Sequence, residues 1–540
     1  MTSGFSDFGL KAQEDRLVRT VLFGLDGATF TVLDRLVDEG LMPNLKTFYT
    51  DGVRAKLLST PLPITPQAWT SMATGCYMGK HGVNDFVRIE IGDRGIFAKY
   101  NSSRDIHCDT IWKYASRHGR RVTALNYIGM APPEPINGHS IPGFVPGRHL
   151  RRSSFPPDLF TRLEQVENFD VSILGLDLDV EKQVLKEMPE DQWLPWIDHH
   201  IAREQVWFAV MEHLMKNEPS DLTAIVFDGV DKLQHLAYRY LDPAWAPANP
   251  SPWESTVIQR CRDYFKQVDD FLGRTLDLIG DDGRVFIASD HGFTGSTELL
   301  YINTFLRNEG FLTWAGTVAE DDQDTVYVDR LQNHLGLIDI KRTKAFAVTP
   351  SCNGIFINVP PEEYGDFRSH LIDRLYSIQG PDGGQVITEI KVREEWFAGP
   401  YMNHAADLTL TLRDYGLISV LNGPEVVVPR KAVWGTHHPD GVLLGRGPGL
   451  LASEVAERRN IVDVAALLMY SLDLDISAEI DGRFPANMFD PAFLSDNPAR
   501  IAQPAVATAA ALDEVPEVEE MDAEDETLLL QRLRSLGYIE

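Results

Sequence analysis

The chain has 540 residues, 44% apolar and 24% charged, the composition of a soluble globular protein with room for two to four lobes or one large α/β domain carrying insertions. Its formal net charge of −29 excludes general binding to a nucleic-acid duplex, because affinity for a phosphate backbone comes largely from cationic neutralisation. No window approaches the roughly 18 uninterrupted apolar residues of a membrane span, the first twenty residues contain no apolar signal segment, and Cys76, Cys108, Cys261 and Cys352 are too dispersed for a disulfide framework, so a cytoplasmic location is expected.

The first apolar run, Leu17 to Leu25, ends at Asp26-Gly27 as a buried parallel strand ending in a loop would, and a helix from about Phe30 to Asp38 follows. In PLPITPQAWTSMATG, Pro61 to Gly75, Pro66 suits the first position of a helix, which puts Thr65 at the N-cap and its hydroxyl at the positive end of the helix dipole. Such a helix tip favours both an alkoxide and a docked phosphoryl group, although an isolated Thr-Pro is more often only a cap. The stretch from about 100 to 215 reads as an insertion. Leu222 to Phe227 then repeats the strand design and ends at Asp228-Gly229, and Val285 to Ala288 repeats it again, ending at Ser289-Asp290. In open α/β sheets ligands bind at the carboxyl ends of strands, so these three ends are the first place to look for a site.

Asp231 and His235 lie four apart in a helical segment, so one cation can be chelated from one helix face. Asp290-His291 stands just past a strand, where Gly292 permits the chain to turn both side chains toward one ion. Residues 300 to 400 read as a cap subdomain, with a strand at Gly354 to Val359, a helix near Glu362 to Ser377 and a turn at Pro381 to Gly384. His437 and His438 occupy a loop punctuated by glycine and proline, WGTHHPDG, and are equal as ligands on chemistry alone. From 497 to 526 the chain becomes an Ala/Pro-rich linker whose last part, Asp513 to Glu526, holds nine carboxylates and no base. Residues 527 to 540 place Leu529, Leu533 and Leu536 at helical spacing, a face for the chain's own globule, a second copy or a partner.

Taken together, the blocks GLDGAT, TPQAWTSMATGCYMGKHGVNDF, SDHGF and GTHHPDG resemble, in order and spacing, the alkaline phosphatase superfamily, and most closely its type I phosphodiesterase and nucleotide pyrophosphatase branch. The resemblance covers about residues 18 to 490. It implies a three-layer α/β sandwich with a central, mostly parallel sheet, its core over 15–300 and 400–490, and the inserted cap. It further implies two divalent cations, one held by Asp26, Thr65, Asp290 and His291, the other by Asp231, His235 and His437, and it prefers His437 over His438. Nitrogen and oxygen ligands without thiolate suit zinc, and also admit manganese or other first-row ions. The activity implied is phosphodiester hydrolysis of a small-molecule substrate through attack by Thr65, a phospho-threonine intermediate, and its hydrolysis.

Two departures bear on substrate. The branch has an Asn three residues after the nucleophile, where this chain has Ala68, so Gln67 or Asn84 is the candidate donor to the phosphate. Monoesters carry an extra charge and need an additional cationic side chain. No such Arg or Lys is obvious around Thr65, although Lys80 and Arg88 are close in sequence, which favours diesters over the alternative of a phosphomonoesterase or phosphotransferase. A sulfatase is disfavoured because Thr65-Pro66-Gln67-Ala68-Trp69 has neither the oxidisable residue nor the Arg of that group. A metal-stabilised binding protein that recruits a partner through its tail is the reading from another class.

Overall fold

A computed structural model describes residues 18–92, 95–166, 169–181, 188–318 and 328–503. The acidic stretch beyond 503 and the C-terminal helix expected at 527–540 lie outside them. At the centre is an eight-stranded sheet. From edge to edge its strands are Ser453–Asn460, Val53–Leu58, Asp440–Arg446, Arg284–Ala288, Thr20–Leu25, Leu222–Phe227, Val122–Tyr127 and Gly138–Pro142. Asp440–Arg446 runs antiparallel to both its neighbours, and the other pairings are parallel.

Thr20–Leu25 and Leu222–Phe227 are buried at every position because both faces of the sheet are covered. Val21, Phe23 and Leu25 pack into one core with residues of the long helices Glu190–Asn217 and Pro252–Ile279, whereas Leu22 packs into a second core with the helices Thr65–Thr74 and Asp463–Ser471. The result is a three-layer sandwich with a mostly parallel centre. The three strands that end in acidic residues are neighbours in the middle of the sheet, so their carboxyl ends converge.

One expectation is corrected. Residues 100 to 215 are not wholly an insertion, because Val122–Tyr127 and Gly138–Pro142 complete one side of the central sheet. Val122–Tyr127 is a strand by its parallel pairing with Leu222–Phe227, a partner about a hundred residues away that no local pattern announces, and Gly138–Pro142 pairs in turn with Val122–Tyr127.

A second lobe follows the core strands. Its sheet runs Ala345–Phe346, Gly354–Ile357, Leu408–Leu412 and Ile387–Val392, and the helices Ile302–Asn308 and Pro361–Tyr376 enclose a separate apolar core around Phe305, Leu371 and Leu410. Its strand Leu408–Leu412 lies past position 400. The hairpin Val87–Gly92 and Gly95–Tyr100 adds Val87 and Ile96 to that core. A ribbon of Gly292–Leu300 with Val427–His438 links this lobe to the end of the central sheet. Among the described residues, no helix is long and apolar enough to cross a membrane.

Candidate active site

Thr20–Leu25 delivers Asp26 to the middle of the sheet's carboxyl edge. Gly27 follows in the left-handed region at φ 68°, turning the chain sharply, and its N–H donates to Asp290 Oδ1 at 3.1 Å. The strand also needs Gly24: a Cβ there would meet Cη2 of Trp69 and the carbonyl of Ile225, each at 2.8 Å. That close approach lets the Trp69 indole lie against the strand and donate from Nε1 to Asp26 Oδ2 at 3.1 Å.

Asp231 and His235 project from the helix Gly229–Leu241, which opens directly after Leu222–Phe227. His437 comes from the end of the strand Val427–His438 rather than from a loop. Neighbouring strand residues face opposite ways. His437 therefore joins the site, while His438 turns its Nδ1 to accept from the N–H of Asp440 and packs its ring on Tyr415.

Two groups of ligand atoms result, Asp231-His235-His437 and Asp26-Asp290-His291, each gathered within 4.8 Å. In the first, His235 Nε2 lies 3.0 Å from His437 Nε2 and 3.4 Å from Asp231 Oδ1, and His437 Nε2 lies 3.2 Å from the same oxygen. In the second, His291 Nε2 lies 3.3 Å from Asp290 Oδ2 and 3.6 Å from Asp26 Oδ1. Ligands about 2.0–2.1 Å from a tetrahedral ion stand about 3.3 Å from one another. The groups adjoin, with His291 Nε2 4.0 Å from Asp231 Oδ1 and the His291 and His437 rings stacked at 3.6 Å.

The hydrogen bonds around the sites set the chemistry of these atoms. Nδ1 of His235, His291 and His437 faces the carbonyl oxygens of Gly435, Gly292 and Pro63 at 2.9, 3.0 and 2.6 Å. A carbonyl only accepts, so each Nδ1 carries the proton and each Nε2 presents a lone pair, the outer arrangement that metal-binding histidines use. Asp26 Oδ1, Asp231 Oδ1, Asp290 Oδ2 and His291 Nε2 are buried without a hydrogen-bond partner among the described residues. Buried acceptors in that state are costly, and converging lone pairs are relieved by a cation. The donor set therefore fits a pair of divalent ions.

The electrostatics agree. Burial, then Asp290 and Asp231, push the Asp26 carboxyl well above the usual range, and burial raises Asp290 to about 8. Burial, then His437, hold His291 well below the ordinary imidazole value. Burial would also raise Asp231, but His235 and His437, when a proton rather than a cation occupies their Nε2 atoms, outweigh it and lower that carboxyl well below its usual range. Three carboxyls crowded in a dry site need positive charge to ionise together.

Thr65 is 6% exposed and opens the helix Thr65–Thr74. The N-cap is Ile64, not Thr65 as the sequence suggests, because the extended backbone persists through Ile64, and Ala68 N–H bonds the Ile64 carbonyl. The segment is tied to both groups: Pro63 accepts from His437, Trp69 donates to Asp26, and Ser59 Oγ donates to the Asp290 carbonyl at 2.5 Å. Gln67 and Asn84 come together, with Gln67 Nε2 donating to the Asn84 carbonyl at 2.6 Å. His81, within the same sequence block, is spent on Ser71 Oγ and the Val83 N–H, and burial lowers its pKa to about 3.

Residues behind the site escaped the sequence reading. Glu204 Oε1 accepts from the N–H of Gly229 at 2.9 Å, at the start of the helix that carries Asp231. Arg203 and Lys232 pair with Asp228, and Arg203 and Asp228 are about 2% exposed. Truncating one partner of a buried ion pair leaves the other charge uncompensated, so Arg203→Met is expected to cost about 3–5 kcal/mol in chemical denaturation. An unchanged unfolding midpoint would show that Lys232 alone balances Asp228.

The sequence model described as type I phosphodiesterase / nucleotide pyrophosphatase matches residues 20–436. A sequence comparison with curated proteins gives no match. Among solved structures, phosphonoacetate hydrolase from Sinorhizobium meliloti 1021 in complex with phosphonoformate is similar, with a TM-score of 0.50 and 17% identity over 84% of this chain and 95% of that one. Murine ectonucleotide pyrophosphatase / phosphodiesterase 5 has a TM-score of 0.50 and 14% identity over 87% of this chain and 100% of its own. The human protein of the same name gives 0.51 and 13% over 89% and 99%. At these identities the likeness establishes the fold.

Proposed function

We propose, from the premise that this chain belongs to the type I phosphodiesterase / nucleotide pyrophosphatase family and is a phosphoester hydrolase, that it cleaves phosphodiesters with two divalent cations and Thr65 as nucleophile. The observation that carries the reading is the pair of adjoining groups whose unpartnered lone pairs stand at ligand-to-ligand spacing. Asp26, Asp290 and His291, with Thr65, would hold one ion, and Asp231, His235 and His437 the other. Zinc suits this set best, with manganese as the nearest substitute. Bound there, the cations would supply the positive charge that acidifies the Thr65 hydroxyl and stabilises the leaving oxygen.

The chain's own residues do the rest. The Thr65 oxygen attacks phosphorus in line with the departing alcohol, the phosphorus–oxygen bond to that alcohol breaks, and a phospho-threonine forms. Water then cleaves the phospho-threonine and restores the hydroxyl. The start of the helix Thr65–Thr74 favours the negative phosphoryl group throughout, and the Trp69 and Pro63 hydrogen bonds keep that helix start in register with Asp26 and His437. Gln67 and Asn84 are the proposed polar contacts to substrate.

A diester is favoured over a monoester because the cations nearest Thr65 in the sequence are engaged elsewhere, Arg54 with Asp34 and Lys56 with Asp440. Lys80 pairs with Asp481, and Arg88 with Asp105 and Glu90. With protein loaded with zinc or manganese, bis(p-nitrophenyl) phosphate should therefore exceed p-nitrophenyl phosphate in kcat/KM. Equal or greater turnover of the monoester would overturn the preference for diesters.

A further inference from the structure

Beside the Thr65 block lies a cleft of ≈ 390 Å³, walled on one side by Leu62, Gln67, Asn84 and Asp85 and on the other by residues of the second lobe that include Phe356 and His404. Gln67 stands two residues after Thr65 on the helix Thr65–Thr74, so the cleft borders the helix that carries the proposed nucleophile.

Its polar groups are unusual in kind. Gln67 is 1% exposed, and with Nε2 given to the Asn84 carbonyl its Oε1 has no partner among the described residues. Both amide atoms of Asn84 and Nδ1 of His404 are buried and unpartnered in the same sense. Asp85, 5% exposed, accepts from the Phe86 N–H at 2.7 Å, from Thr349 Oγ1 at 2.5 Å and from Ser351 Oγ at 2.7 Å. All three donors are neutral, so the carboxylate charge is uncompensated, and about one of its roughly four lone-pair sites stays open. Among the described residues, neither Lys nor Arg lines the cleft. A buried acceptor left without a donor is costly, and so is an anion set beside a buried carboxylate. The occupant that satisfies these walls brings hydrogen-bond donors and no negative charge.

We propose that this cleft receives an esterified alcohol of the substrate, and that the alcohol is compact, bears hydroxyl or ammonium donors, and carries no second phosphate. The inference rests on the phosphodiesterase reading above. It separates this chain's preference from that for polyphosphate-bearing substrates: Gln67 Oε1 and Asn84 Oδ1 take donors from the alcohol, Asn84 Nδ2 gives one to an alcohol oxygen, and Asp85 repels a further phosphate.

The test uses the full-length protein loaded with zinc or manganese and four p-nitrophenyl diesters, whose second alcohol is glycerol, ethanolamine, glycerol 3-phosphate or a second p-nitrophenol. The glycerol or ethanolamine ester should exceed the glycerol 3-phosphate ester in kcat/KM by about tenfold or more, the scale of a like-charge contact in a desolvated pocket. Asp85→Asn should shrink that ratio chiefly through KM. Gln67→Glu, which adds a carboxylate without relying on Asp85, should enlarge it. Equal use of the phosphorylated ester, or ratios unmoved in both variants, would overturn the inference while leaving the phosphodiesterase reading intact. Absence of turnover with all four esters would overturn that reading, and the inference with it.

Discussion

Thr65→Ala is expected to lower diester turnover by on the order of 10³-fold or more, because no other side chain on the helix start can form the covalent intermediate. Its selectivity is as informative as its size. The cation proposed to touch Thr65 would keep Asp26, Asp290 and His291, and the other would keep all three of its ligands, so metal content should fall little. The local fold should also survive, since Ile64 is the N-cap and the Trp69 and Pro63 hydrogen bonds do not use the Thr65 side chain. Thr65→Ser retains a hydroxyl and should keep measurable turnover, and acid quenching of the parent protein should trap phosphate on Thr65. Full activity in the alanine variant would refute the mechanism, whatever the metal analysis shows.

How much of this was legible in the sequence follows from how local each signal is. Mainly apolar runs ending in acid marked three strands, and those strands are adjacent in the sheet. The helix spacing of Asp231 and His235 is equally local, as both residues sit on one helix. The choice between His437 and His438 was not available to residue chemistry, because which of two neighbours faces inward depends on the pairing of Val427–His438 with Gly292–Leu300, set more than a hundred residues away. The same applies to Val122–Tyr127, whose pairing with Leu222–Phe227 is long-range. Arg203 and Glu204 lie in a 28-residue helix where charge reads as a solvated face, yet the partner Asp228 is brought over them by the sheet. The role of Trp69 is visible only where Gly24 admits it beside Asp26. Side chains fixed by one element were readable, and those fixed by the meeting of two were not.

Chelation should abolish turnover and lower the melting temperature by several degrees, with both restored by zinc or manganese. The reason lies in the four buried acceptors left unpartnered among the described residues, Asp26 Oδ1, Asp231 Oδ1, Asp290 Oδ2 and His291 Nε2. With cations in place their lone pairs become bonds. Without them the folded state keeps three neighbouring carboxyls in a dry site, whereas the unfolded chain hydrates them, so ion binding favours the folded form by mass action. The two groups also separate genetically. His235→Ala should take metal content from two ions per chain to about one, and Asp26→Ala should do the same at the other group. The two losses need not be equal in stability: Asp26 is 1% exposed, while Asp231 and His235 are only partly buried, so emptying the deeper group should cost more. Metal analysis paired with thermal melts of both variants checks this. Two ions retained in either variant, or a larger drop in melting temperature for His235→Ala than for Asp26→Ala, would show that the charges are balanced in some other way.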